Sequence, residues 1–148
     1  MNGLPALVDY LKASFGSQIQ DVILDRCEVT VVLPREHLIE VATKLRDDKA
    51  LCFVQLMDLT AVDYAHYGRD EWTTHDATVQ GFSRGVKPLS ETAPQDRPRF
   101  DVVYHLLSLE HNMRLRLRVP LAESDVQIPS VVPVWNAANW YEREAFDL

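Results

Sequence analysis

Residues 113–121 read Met-Arg-Leu-Arg-Leu-Arg-Val-Pro-Leu, an alternation with the period of a strand rather than a helix. Met113, Leu115, Leu117, Val119 and Leu121 must face one way and Arg114, Arg116 and Arg118 the other, because successive strand side chains point to opposite faces. One face of this strand is therefore core and the other is polar. Just upstream, Phe100, Val102, Tyr104 and Leu106 alternate with Val103, Leu107 and Leu109, so residues 100–109 are apolar on both faces. That pattern predicts a strand covered on both sides. Glu110-His111-Asn112 between the two runs predicts a hairpin turn, with the register open by one residue.

The rest of the chain supplies elements to cover such a sheet. Leu4, Leu7, Val8, Leu11 and Phe15 fall at helical spacing and predict a helix over 4–15, stopped by Gly16. Residues 19–24 and 27–33 are rich in Ile and Val and predict a second hairpin, split near Asp25-Arg26. After Pro34, the apolar face of Leu38, Val41, Ala42 and Leu45 predicts a helix over 35–47. Residues 52–62 read as a largely buried strand. Residues 66–98, with three glycines and three prolines, break every periodicity and read as a long loop insertion, with a short strand allowed near Thr78–Phe82. Ser130 is placed to cap a turn running to Trp135, and 137–148 read as a helix with Ala137, Tyr141, Ala145 and Leu148 on one face. The expected fold class is α+β: a single domain with a mainly antiparallel or mixed sheet and helices packed on it.

Charge and composition narrow the function. The 148 residues carry a formal net charge of −7, and no Lys/Arg cluster stands out, which argues against nucleic-acid binding and against direct contact with anionic lipid. No apolar run is long enough to span a bilayer. Cys27 and Cys52 are far apart and form no C-x-x-C, so both are expected as buried, reduced thiols.

Motifs for chemistry are thin. Gly81-Phe82-Ser83-Arg84-Gly85 matches a nucleophile elbow in letters, but the following residues do not begin a convincing helix. Asp101 and His105 would have to complete a triad from one strand, so a hydrolase using Ser83 is the weaker reading. His66 and His75 with Asp63, Asp70 and Asp76 are loop residues that would need to converge to hold a metal. No glycine loop for NADH or flavin occurs. The chain is therefore expected to hold no catalytic, cofactor-binding or metal-binding residues.

Surfaces for partners are easier to find. The face of Arg114, Arg116 and Arg118 reads either as a solvated sheet face paired with nearby acids or as a dock for an acidic partner. Trp135 and Trp140 read either as core or as interface anchors. If Ala137, Tyr141, Ala145 and Leu148 face inward, then Trp140, Arg143, Glu144 and Asp147 lie on the outer side of the last helix.

Two stretches carry a resemblance. Arg99 to Arg116 reads RFDVVYHLLSLEHNMRLR, and Ser130 to Leu148 reads SVVPVWNAANWYEREAFDL. Together with Asp58-Leu59-Thr60-Ala61-Val62-Asp63-Tyr64, they resemble the 30 kDa subunit family of respiratory complex I, the NADH:quinone oxidoreductase, over essentially the whole chain. The insertion, with Gly68-Arg69-Asp70-Glu71-Trp72, resembles the form in proteobacterial members. The resemblance implies a structural and assembly subunit of the hydrophilic arm of a proton-pumping electron-transport complex. It would lie peripherally on the cytoplasmic side of the bacterial inner membrane and dock to subunits D, B and I, chiefly D. NADH, FMN, iron–sulfur clusters and quinone would belong to other subunits. A subunit of a related membrane-bound hydrogenase is the alternative. Family members continue past the Glu-Arg-Glu helix into a Gly-, Arg- and Pro-rich tail, and the expectation is that this sequence lacks it.

Overall fold

The computed structural model describes the backbone of residues 3–65, 67, 70–78, 81–88 and 98–147, with side chains for all of these except 70–78 and 81–88. In chain order the elements are α1 (Leu4–Phe15), β1 (Asp21–Asp25), β2 (Glu28–Val32), α2 (Leu38–Asp47), β3 (Gln55–Asp63), β4 (Asp70–Thr78), β5 (Gly81–Pro88), β6 (Phe100–Ser108), β7 (Met113–Leu121) and α3 (Ala138–Asp147). Single 3-10 turns follow α1 and precede α2.

β7 lies at the centre of a five-stranded sheet ordered β1-β2-β7-β6-β3. β6 and β7 form the expected hairpin, and Tyr104 stands opposite Leu117, which settles the register. Asn112 turns the chain with φ +48°, a left-handed conformation that asparagine tolerates. β2 joins β7 in parallel, whereas the other ladders in this sheet are antiparallel. The sheet is therefore mixed, and the fold is the α+β single domain the pattern implied.

The core lies on one face. Leu7, Leu11 and Phe15 of α1 and Leu38, Val41, Ala42 and Leu45 of α2 join Val29, Val31, Tyr104, Leu106, Leu115 and Leu117 in one buried cluster. Each such aliphatic side chain contributes about 1.5–3 kcal/mol through removal from water. α1 ends at Gly16, whose φ of +47° a β-carbon would disfavour. Burial pushes the Tyr104 phenol well above its ordinary pKa, with the Glu142 carboxylate adding to the effect.

Three expectations need correction. Cys27 is exposed rather than buried, because Arg26 and Cys27 form the tip of the β1–β2 hairpin with φ of +49° and +63°. Cys52 is only half-buried. Residues 66–98 are not a loop throughout: β4 and β5 form an antiparallel two-stranded ladder, and the strand expected near Thr78–Phe82 is instead the end of one strand and the start of the next. Backbone pairing needs no apolar periodicity, so composition hid it.

The root of that hairpin is held by charge. Tyr64 N–H donates to the Arg99 carbonyl at 2.8 Å. The Arg99 guanidinium makes two 3.0 Å bonds to the Asp63 carboxylate and pairs with Glu123 as well. Among the described residues, no helix is long and apolar enough to cross a membrane.

Candidate functional site

α3 is anchored from inside and open outside. The Glu142 carboxylate accepts hydrogen bonds from Ser130 Oγ–H at 2.6 Å and Val131 N–H at 2.7 Å. Ser130 thus tethers α3, and its Oγ also accepts the Val132 N–H at 3.2 Å at the head of the hydrogen-bonded turn that runs to Trp135, as expected of a capping serine. Tyr141 donates its hydroxyl hydrogen to the Met57 carbonyl of β3 at 3.0 Å. Inward positions are Ala138, Tyr141, Glu142 and Ala145. Ala137 is exposed, contrary to the predicted face, because the helix begins one residue later. Leu148 lies outside the described residues.

Those anchors orient the outer side. Trp140 is 74% exposed and Phe146 is 89% exposed. The Arg143 guanidinium lies 5.6 Å from the Trp140 ring centre, a cation–π contact worth about 0.5–1 kcal/mol at an exposed site. Glu144 and Asp147 are exposed beside them. All four outer residues expected from helical spacing are thus on one accessible side.

Trp135 is the correction. It is 4% exposed, and its indole N–H donates to the Phe53 carbonyl at 3.0 Å. The ring belongs to the core and its polar atom satisfies a buried backbone acceptor, so Trp135 takes the core reading rather than that of an exposed anchor. Phe146, by contrast, was not among the expected residues. It lies seven positions beyond Asn139 and three beyond Arg143, both exposed, so the same periodicity had the signal. Phe146 also walls two clefts of about 590 and 610 Å³, shared with Leu59, Ala61, Val102 and Val126. A large apolar ring left in water beside apolar clefts is the kind of surface that protein contacts use.

The arginine face divides three ways. Arg118 is committed to the fold: its Nε donates to Asp101 Oδ2 at 2.8 Å, and the Tyr64 hydroxyl donates to the same oxygen at 3.1 Å. Asp101's side chain is only 3% exposed, so this is a mostly buried pair rather than a docking group. Arg116 pairs with Glu28 at the surface. Arg114 is exposed and has no carboxylate partner among the described residues.

For hydrolysis the geometry is poor. Asp101 is bound by Arg118 and Tyr64, so it is not free to orient His105. The side chains of Ser83, His66, His75, Asp70 and Asp76 lie outside the described residues. Asp63 is engaged by Arg99.

With this geometry in view, the sequence comparisons agree with one another. Residues 31–148 match the family model described as respiratory-chain NADH dehydrogenase, 30 Kd subunit. Two relatives are the NADH-quinone oxidoreductase subunits C of Coxiella burnetii (strain Dugway 5J108-111) and Legionella pneumophila (strain Corby). The first is 45% identical over 144 residues, covering 96% of this chain and 63% of that protein. The second is 44% identical over 143 residues, with the same coverage. This chain therefore spans somewhat less than two thirds of the length of those relatives. Among solved structures, the trypsin-resistant fragment (1-134) of Nqo5 matches with a TM-score of 0.65 and 27% identity, covering 95% of this chain and 89% of that one. A family match reaching from β2 through α3, joined to the same fold, shows that the chain belongs to the respiratory-chain NADH dehydrogenase 30 kDa subunit family.

Proposed function

We propose that the chain works as a non-catalytic docking subunit in the hydrophilic arm of a proton-pumping NADH:quinone oxidoreductase. Its partners there are subunits D, B and I, and D is the principal one. NADH, FMN, iron–sulfur clusters and quinone are held by other subunits, and the chain reaches the cytoplasmic face of the inner membrane only through the complex. The observation that carries this reading is the outer side of α3, where Trp140, Arg143 and Phe146 are exposed on a helix whose inner side is fully engaged. Aromatic residues and arginine dominate the energetics of protein interfaces. Glu144 and Asp147 add charges for register.

The experiment compares folding with assembly. Trp140→Ala and Arg143→Ala should shift the melting temperature of the isolated chain by no more than a few degrees, because neither side chain is buried. Both should reduce co-purification of the full-length protein with its principal partner, Trp140→Ala the more strongly. Normal assembly of both variants would remove α3 from the interface. Stoichiometric iron or a flavin absorption band in the purified chain would overturn the non-catalytic assignment.

A further inference from the structure

The two clefts of about 590 and 610 Å³ beside the last turn of α3 share Leu59, Ala61, Val102, Val126, Ala145 and Phe146, so they are two halves of one groove. Ala61 of β3 stands opposite Val102 of β6, and both point to the apolar side of the sheet, as Leu59 does. α3 and the 126–130 segment wall the groove and are tied together by the hydrogen bond from Ser130 to Glu142. Leu59 and Val102 are 5% and 7% exposed and form its floor. Ala61 is exposed, Val126 is 54% exposed and Phe146 is 89% exposed. The apolar surface that an occupant would cover is therefore that of Ala61, Val126 and Phe146, which suits a single large apolar side chain rather than a broad flat contact.

The charge around this groove has one sign. Asp58, Asp63, Glu142 and Glu144 line it, and among the described residues no Lys, Arg or His does. Glu142 is held by Ser130 and Val131, and Asp63 by Arg99. Asp58 and Glu144 are exposed, and neither has a cationic partner among the described residues. An anionic lipid or a small organic acid would bring a like charge to these two carboxylates. A cation would find them unspent, beside an apolar seat.

We propose that this groove receives a short basic segment of a partner protein of the complex, anchored by one large apolar side chain that lies between lysines or arginines. The anchor rests on Ala61, Val126 and Phe146, where a single well-packed side chain can carry much of the affinity of a contact. Its basic neighbours pair with Asp58 and Glu144 and fix the direction in which the segment lies. The inference rests on the reading of the outer side of α3 as a docking surface, and it names what a partner brings to the Phe146 end of that surface.

The test is made in the assembled complex. Gln127 is exposed and lies on the groove wall, so Gln127→p-benzoylphenylalanine places a photo-crosslinker there in the full-length protein. The complex is isolated and irradiated, and the joined peptides are sequenced by mass spectrometry. The expected product joins residue 127 to another protein of the complex, at a large apolar residue flanked by lysine or arginine. Crosslinks confined to this protein, whether to its own remaining residues or to a second copy, would overturn the proposal. So would a partner peptide without basic residues, or no crosslink at all. Ala61→Phe fills the seat of the anchor, and Glu144→Lys reverses the charge beside it. Each should lower the yield of the partner crosslink about tenfold or more, as loss of a central contact does. Both residues are exposed, so both variants should keep the wild-type melting temperature. Unchanged yield in Ala61→Phe would remove the anchor, and unchanged yield in Glu144→Lys would remove the basic partner; either result overturns the proposal. Normal assembly of both groove variants while Trp140→Ala still blocks assembly would sink the groove and leave the docking role standing.

Discussion

The two faces of the five-stranded sheet use the same strands but different forces. On one face, Val31, Leu117, Tyr104 and Leu59 run in a row across four strands and are sealed by α1, α2 and the 131–138 segment. On the other, Thr30, Arg116 and His105 form the neighbouring row across three strands, with Val32, Arg118 and Val103 next to it. The covered face is held by removal of apolar surface from water, which needs no particular partner. The arginine face depends on individual pairings, and each arginine on β7 has met a different fate. Side chains that are equivalent in sequence therefore differ widely in what they contribute.

Substitutions along β7 test this contrast. Leu117 is 0% exposed, and Leu117→Ala should cost about 2–5 kcal/mol in urea unfolding, with the spread set by how far the cavity collapses. A loss under about 1 kcal/mol would mean that this face is not the core. Arg118→Ala should come next. It strips a guanidinium from Asp101 and leaves that carboxylate nearly buried with Tyr64 alone. Fully buried pairs lose about 3–5 kcal/mol when one partner is removed. Arg118 keeps some contact with water, so about 2 kcal/mol is expected, and Arg118→Ala combined with Asp101→Ala should cost less than the two single losses added together. Strict additivity would show that the pair does not interact. Arg116→Ala, which breaks a surface pair with Glu28, should cost less than about 1 kcal/mol. If Arg116→Ala and Arg118→Ala prove equal, the division of this face is wrong.

Much of the fold was legible because periodicity reports burial directly. The alternation in 113–121 placed Leu117 and Arg116 on opposite faces, and helical spacing found α1, α2 and the outer side of α3. Trp135 and Trp140 show the limit. Both are large aromatics in one short segment, and composition treats them alike. Trp135 is buried because the Phe53 carbonyl is within reach of its indole N–H, a contact between residues far apart in sequence. The β4–β5 ladder escaped notice because its pairing is made by main-chain groups, which every residue carries.

The sequence alone made two features readable, that β7 would have one apolar face and that α3 would turn Trp140, Arg143, Glu144 and Asp147 outward, since both follow from fixed geometric periods. It also carried the family, through runs such as Trp140-Tyr141-Glu142-Arg143-Glu144. The parallel joining of β2 to β7, the commitment of Arg118 to Asp101 and the exposure of Arg114 were set by the tertiary structure. Those outcomes depend on which strands become neighbours, and neighbours are chosen by the packing of the whole core rather than by any local run of residues.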